Sequence, residues 1–365
     1  MFLESPEHFS SSSLRVPAYR NASYVPSLSF VGVTLLQMWK EQFLEYLKQS
    51  TVAEPLFEQA IALKHQHLPK RIYKYRKDDE CGYSRKNLAA STIWLATPDS
   101  YNDPYDCFLQ FSAANMAAAF ERGLIDAFIA GYHLDIPADN VTQAKQSPTP
   151  FQTFFQYITS DGKPGANPKQ MAEFMSQTIP GYIKSTVEFL QALRTIAQVC
   201  SFSAVHDSIL MWSHYADQHK GFCVEYDLSK FEPGDAFLKN LYPVIYSNEL
   251  ADLTPWAEKI VSGGAGDLTT GILLLGVIQK FTGWEYEQEW RYIRFQEPPS
   301  QDRNRSMPLP SRIFLGAKAL PSTTDAIVAT CKEKNIPVWQ MSMSSDRYEL
   351  VANPASVLAD AVSST

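Results

Sequence analysis

The sequence predicts an α+β protein: a mixed or antiparallel sheet core with a helical N-terminal head and a helical insertion. Three observations predict this. Short segments of alternating, β-branched and aromatic residues cluster near residues 70–110 and again over 198–352. Helical spacing of apolar residues dominates between about 33 and 63 and between about 112 and 198. The two textures never settle into a regular βαβ rhythm. With 365 residues, 45% of them hydrophobic and 19% charged, the chain has apolar material for a sizeable core. That composition excludes a wholly disordered, collagen-like or long coiled-coil chain.

Residues 1–30 are rich in Ser, Pro and Asn and read as a loosely ordered tail. Leu35, Leu36, Trp39, Phe43, Tyr46 and Leu47 have helical spacing, and a second helix is expected over about 52–63. Residues 31–68 are thus read as a helical N-terminal segment. An α+β domain is expected over 69–365, with a helical insertion at about 112–198. Its first strands are Arg71–Arg76 and Ser91–Ala96, with a short helical turn at Asn87. The loop Tyr101-Asn-Asp-Pro-Tyr-Asp106 is dense in turn formers. In the insertion, Ala113–Tyr132 is one helix, Gln143–Asn167 a Pro/Gly/Ser connection, and Pro168–Ala197 two more helices. Strands follow at Gln198–Ser203, Gly221–Asp227, Tyr242–Ser247, Glu289–Phe295, Arg312–Gly316, Ile336–Ser342 and Tyr348–Ala352. Helices are expected at Ser208–Ala216, with Asp207 or Ser208 as N-cap, at Leu268–Phe281, and at Thr323–Lys334. Ser262–Asp267 reads as a glycine-rich loop, without the lysine or the spacing of a phosphate-binding loop.

A net charge of −7 argues against a protein that coats nucleic acid through global charge. One local run differs: Lys64–Lys77 holds six Lys or Arg and no acid, with Tyr73 and Tyr75 interleaved. Such a run suits single-stranded nucleic acid or a phosphate-bearing cofactor. Five cysteines, an odd number without a CxxC, point to a reducing cytoplasm rather than a disulfide framework. No stretch approaches the roughly 18–20 apolar residues of a membrane span, and no secretory signal is read at the N-terminus. The run Ser10–Ser13 resembles Ser-rich leaders of secreted bacterial effectors; a plain tail is the simpler expectation.

The segments Tyr73–Arg76, Tyr101–Asp106, Cys200–Ser203, Met211-Trp-Ser-His-Tyr-Ala216, His219-Lys-Gly221, Trp284–Arg291 and Ile313–Gly316 resemble, in this order, a bacterial family catalogued as domain of unknown function 2971. That resemblance supplies no activity, so function rests on site chemistry.

Three of these segments also resemble the R-S-E arrangement of ADP-ribosyltransferases. They are Arg76 at the end of an early strand, Ser201-Phe-Ser203 before a helix, and Glu287-Gln-Glu289 at the mouth of a late strand. A helix and a Pro/Gly-containing loop intervene between Ser247 and Glu287, which departs from that pattern. The resemblance implies an ADP-ribosyltransferase-like sheet, NAD as substrate, and an acceptor that is protein, nucleic acid or small molecule. Breaking the nicotinamide–ribose bond develops positive charge on the sugar. A fixed carboxylate, Glu289, would stabilise it, and Glu287, on the same side of an extended segment, would accept a proton. Arg76 would grip the pyrophosphate, with Lys74 or Arg71 as substitutes, and Ser203 would bond ribose or orient the glutamate. Tyr75, Trp212 or Tyr215 would stack on nicotinamide. Ser201, His214, Lys220, Asn102 and Asp103 complete the expected cofactor-binding set. The structural alternative for Glu-x-Glu is a solvated strand edge with ion pairs to Arg291 or Lys280. The alternative for Trp212 and His214 is core packing.

Two other functions compete. A metal-dependent nuclease would gather Asp103, Asp106, His214, His219, Glu225 and Glu287, although no spacing among them is diagnostic. A non-catalytic regulatory module would bind a ligand without turning it over and would tolerate Gln at Glu287 and Glu289.

Overall fold

Alternation builds the centre of the sheet. Strand β1 (Arg71–Arg76) forms over the residues whose pattern predicts it. In the computed structural model, residues 28–49, 55–79, 81–110, 112–160, 173, 177–185, 188, 195–232, 234–252, 269–296 and 302–355 are described. The chain divides into two units, residues 1–38 and 39–365. The first contributes only the beginning of helix α1 (Leu28–Gln49); the sheet belongs to the second. Most of the expected tail, the loop Ser262–Asp267 and most of residues 168–196 lie outside the described residues.

The sheet has eight strands. In spatial order they are β14 (Leu350–Pro354), β13 (Val338–Met343), β12 (Arg312–Leu315), β5 (Phe222–Asp227), β1, β4 (Ala197–Ser203), β10 (Glu289–Phe295) and β6 (Leu241–Pro243). All neighbours are antiparallel except β12 and β13. Strands β1 and β5 pair continuously from Arg71↔Asp227 to Arg76↔Phe222, and β4 and β10 from Glu289↔Ser203 to Phe295↔Ala197. Between these zipped halves, β1 and β4 share one pair, Tyr73↔Ser203. Beyond it the strands part, and the Lys74 ammonium reaches across to the Ser201 carbonyl at 2.6 Å.

Period two sorts the side chains into two cores. On one face Ile72, Phe202, Val224, Trp290, Tyr292 and Leu315 pack with Trp39, Phe43, Leu47 and Ala60. The last four come from α1 and α2 (Pro55–Gln66), so the described parts of both helices from Trp39 on share the core of the sheet. Each fully buried Ile, Leu, Val or Phe among them contributes about 1.5–3 kcal/mol. The other face packs Tyr73, Tyr75, Cys223 and Phe314 against Trp212. The insertion has its own small core of Phe120, Ile125, Phe151, Phe154 and Phe155. It is built by α4 (Ala113–Tyr132), α5 (Ala138–Gln146) and α6 (Pro150–Ser160). Helix α6 and the last turn of α5 occupy the segment expected as a Pro/Gly/Ser connection. Pro150 opens α6, where its missing N–H costs nothing, rather than marking a loop.

Two other elements differ from expectation. The strand expected over Tyr242–Ser247 splits into β6 and β7 (Ile245–Ser247), which takes another partner, β9 (Gln279–Phe281), in parallel. The helix expected to reach Phe281 stops at Ile278, because Gln279–Phe281 pair with β7 instead.

Helix α7 (Ile209–Tyr215) begins as predicted, with Ser208 Oγ accepting from the Met211 N–H at 3.3 Å. Asp217, Gln218 and His219 then adopt left-handed φ values of 46°, 54° and 71°. This turn presses its backbone onto its neighbours. A Cβ at Gly221 would lie 2.1 Å from the Arg76 carbonyl oxygen, and one at Gly316 the same distance from that of His219. Close approach therefore explains both motif glycines. Among the described residues, no helix is long and apolar enough to cross a membrane.

Candidate functional site

The parting of β1 and β4 leaves a chamber of about 180 Å³. Its register is fixed by the sheet: Tyr73, Ser203 and Glu289 are directly opposite one another on three adjacent strands and so face the same side. Tyr75 and Lys74 of β1 and Ser201 of β4 extend the wall. Tyr215 of α7, Asn102 and Tyr101 of the turn-rich loop, and Lys280 and Glu287 complete it.

Under the chamber lies a buried ion cluster. The Lys280 ammonium stands 2.5 Å from Glu287 Oε2, 3.0 Å from Glu289 Oε2 and 3.6 Å from Asp106 Oδ2. Arg291, fully buried, grips Glu289 through Nε at 2.8 Å and Nη2 at 3.1 Å. Its Nη2 also donates to Asp106 Oδ2 at 2.8 Å, and its Nη1 donates to the Val277 carbonyl at 2.6 Å. Three carboxylates thus face two cations, which leaves one excess negative charge before Lys74 is counted.

The two glutamates of Glu-x-Glu have opposite environments. Burial works to raise Glu289, but Arg291 and then Lys280 outweigh it and hold the carboxyl well below the usual range. A hydrogen bond from Ser201 adds to this. Burial and the neighbouring charge of Glu289 push Glu287 up, against Lys280 and the Tyr215 hydroxyl. Tyr215 Oη donates to Glu287 Oε1 at 2.6 Å. The two carboxyls are thus pushed apart in proton affinity, Glu289 downward and Glu287 upward.

The expected strand-edge alternative was right about the partners and wrong about the solvent: Lys280 and Arg291 do pair, but both glutamates are buried. The period-two argument also fails for Glu287, which ends a 3-10 segment (Thr282–Glu287) rather than lying in the strand. Gln288, with φ of 44°, turns the chain so that both side chains still meet at Lys280.

Ser203 is adjacent to both, but its hydroxyl is engaged, donating to the Glu287 carbonyl at 2.7 Å and accepting from the Val205 N–H at 3.1 Å. It therefore orients the glutamate segment. Arg76 does not line the chamber; Lys74 does. Trp212 is fully buried, donates Nε1–H to the His206 carbonyl and packs edge-on against Tyr75, so it is core and not a stacking platform. Asp103 accepts from the Trp284 indole at 2.8 Å and from the Tyr105 N–H, tying its loop to the 3-10 segment. Lys220 lines neither the chamber nor the groove next to it, and His214 lines only the groove.

That groove, of about 1190 Å³, shares Lys74, Tyr75 and Tyr215 with the chamber. Its outer wall comes from helix α3 (Tyr83–Ala90) and strand β2 (Thr92–Trp94). The basic run Lys64–Lys77 is not one patch. Lys64 is fully buried, donating to the Leu238 and Lys239 carbonyls, and Arg71 pairs with Glu225 at 3.7 Å. Lys74 lies in the cleft, and only Arg76 and Lys77 join it in the groove.

Among the described residues, no three His, Cys, Asp or Glu side chains are placed to hold a metal ion. Glu225 pairs with Arg71, His219 bonds Ser213, and Asp103 holds Trp284. Where Asp106, Glu287 and Glu289 converge, the Lys280 ammonium fills the cation position.

Sequence reasoning missed Tyr101 as part of the site. Its ring lies 5.6 Å from the Arg291 guanidinium carbon, and its buried hydroxyl has no hydrogen-bond partner among the described residues. The central place of Lys280 was also missed. A lysine two residues past the apolar run Gly271–Ile278 was the available signal.

Residues 211–292 match the family model described as Protein of unknown function (DUF2971). No curated protein and no solved structure matches the chain. The matched segment contains Tyr215, Lys280, Glu287, Glu289 and Arg291, whereas Lys74, Asp106 and Ser203 come from outside it.

Proposed function

We propose that this chain, with its DUF2971 segment at residues 211–292, cleaves the nicotinamide–ribose bond of NAD and transfers ADP-ribose to an acceptor. One observation carries the reading: two buried carboxylates of opposite proton affinity at the head of a cleft between the central strands. The chamber's size supports it, since a cavity of about 150 Å³ holds one six-membered ring, and this one is about 180 Å³. A ring enters; the rest of a dinucleotide stays in the adjoining groove.

The reaction breaks the C–N bond, and its electron pair leaves with the nicotinamide nitrogen. Positive charge grows on the ribose, and the carboxylates of Glu287 and Glu289 at the chamber stabilise it. An acceptor hydroxyl or water bonds the ribose carbon and gives its proton to Glu287. Tyr215 holds the Glu287 carboxylate in place for that transfer. Glu289 fixes Lys280 and Arg291 and keeps the field negative. Lys74, rather than Arg76, is the cation at the chamber's mouth.

The test is direct: the purified chain is incubated with NAD and free nicotinamide is quantified. Release that grows with enzyme concentration supports the reading. A chain that leaves NAD intact, with water and with added acceptors, overturns it.

A further inference from the structure

We propose that the groove beside the chamber is a binding site for a nucleoside diphosphate, with cations for the two phosphates and an aromatic wall for the base. This rests on the NAD reading only for what the attached ring does in the chamber. The groove stands on its own geometry.

Arg76, Lys77 and Lys86 line it, and among the described residues none of the three has an acid within ion-pair distance. The one acid in the wall, Asp79, is already engaged: it accepts from the Tyr83 N–H at 3.2 Å and from Ser84 Oγ at 3.4 Å. Lys74 adds a fourth cation where groove and chamber meet, and burial lowers its proton affinity, as does the nearby Arg76. Four basic side chains against the single carboxylate of Asp79 leave the groove with an excess of positive charge, which an anion would complete. A diphosphate does so, and guanidinium and ammonium groups bind it by charge-assisted hydrogen bonds.

The second half of the argument is aromatic. Trp94 and Tyr83 stand in the same wall with exposures of 44% and 66%, high for rings of this size. Lys86 Nζ lies 5.4 Å from the Tyr83 ring centroid and Arg303 Cζ 5.9 Å from that of Trp94, and rings with cations beside them suit a planar base attached to phosphate. At about 1190 Å³ the groove has room for base, sugar and two phosphates together.

The experiment titrates the full-length chain with ADP and follows tryptophan fluorescence and heat. Saturable binding is expected, with the fluorescence change lost in Trp94→Ala. Arg76→Ala and Lys86→Ala should each weaken binding about ten-fold. Lys70→Ala, an exposed cation that does not line the groove, should leave the affinity unchanged. Circular dichroism confirms that each variant is folded. No saturable binding, or unchanged affinity in Arg76→Ala and Lys86→Ala, overturns the proposal. Tighter binding of a ten-nucleotide single-stranded RNA than of ADP also overturns it, in favour of a strand-binding groove. ADP binding with these dependences but no nicotinamide release from NAD keeps the groove and removes the chemistry. Release without ADP binding removes only the groove.

Discussion

The ion cluster under β10 and the groove beside α3 are built from the same kinds of charge, yet they do opposite work. In the cluster every charge has a partner within 4 Å: Arg291 holds Glu289 and Asp106, and Lys280 holds all three carboxylates. In the groove Arg76, Lys77 and Lys86 lack acidic partners among the described residues. Paired, buried charges fix geometry, because removing one strands the other in a low-dielectric interior. Unpaired, solvent-reaching charges contribute little to the fold and are available to a ligand. The paired cluster fixes shape and the proposed groove would supply recognition, with the Glu287–Tyr215 pair at the boundary.

The largest effect that would break this division is on stability. Arg291→Met leaves Glu289 and Asp106 unpartnered and should cost about 3–5 kcal/mol, read by urea denaturation. Arg76→Ala in the groove should stay within about 0.5 kcal/mol of the parent. Equal losses from the two would erase the distinction.

Next is Lys64, a buried cation outside both regions. Burial lowers its pKa from 10.5 to about 7. Between these values the unfolded chain binds the extra proton, so this group makes stability rise as pH climbs from about 7 to 10.5. Thermal melts across that range should rise more steeply for the parent than for Lys64→Met.

Smaller again is Ser203→Ala. It removes the hydroxyl between the Glu287 carbonyl and the Val205 N–H and should cost about 1–3 kcal/mol. The smallest effect sharpens the boundary. Tyr215→Phe removes a hydrogen bond that favours the Glu287 anion, so the acid limb of nicotinamide release should move to higher pH. An unmoved limb would mean that another group titrates.

Much of this was legible where local pattern and tertiary demand agree. Arg71–Arg76 and Glu289–Phe295 are strands with the boundaries their alternation predicts, and Ala113–Tyr132 is a helix as its spacing requires. Ser203 and Glu289 are opposed on adjacent strands. What the sequence could not display is which cation enters the cleft. Lys74 and Arg76 share one strand at the same parity, and the parting of β1 from β4 after a single pair brings Lys74 inward. Nor could it display that Lys280 and Arg291 neutralise the glutamates from beneath, because those contacts depend on where β9 and Asp106 arrive in space. Trp212 misled for a related reason: an aromatic near polar residues reads alike whether it stacks on a ligand or fills a core.

The central claim is that Glu287, held apart in proton affinity from its fixed neighbour, is the working carboxylate. The most direct measurement is the rate of nicotinamide release from NAD by Glu287→Gln, compared with the parent at matched folded fraction. The account predicts a fall of about 10²–10⁴-fold in the rate per folded molecule. Parent-like release from a folded Glu287→Gln chain would contradict it.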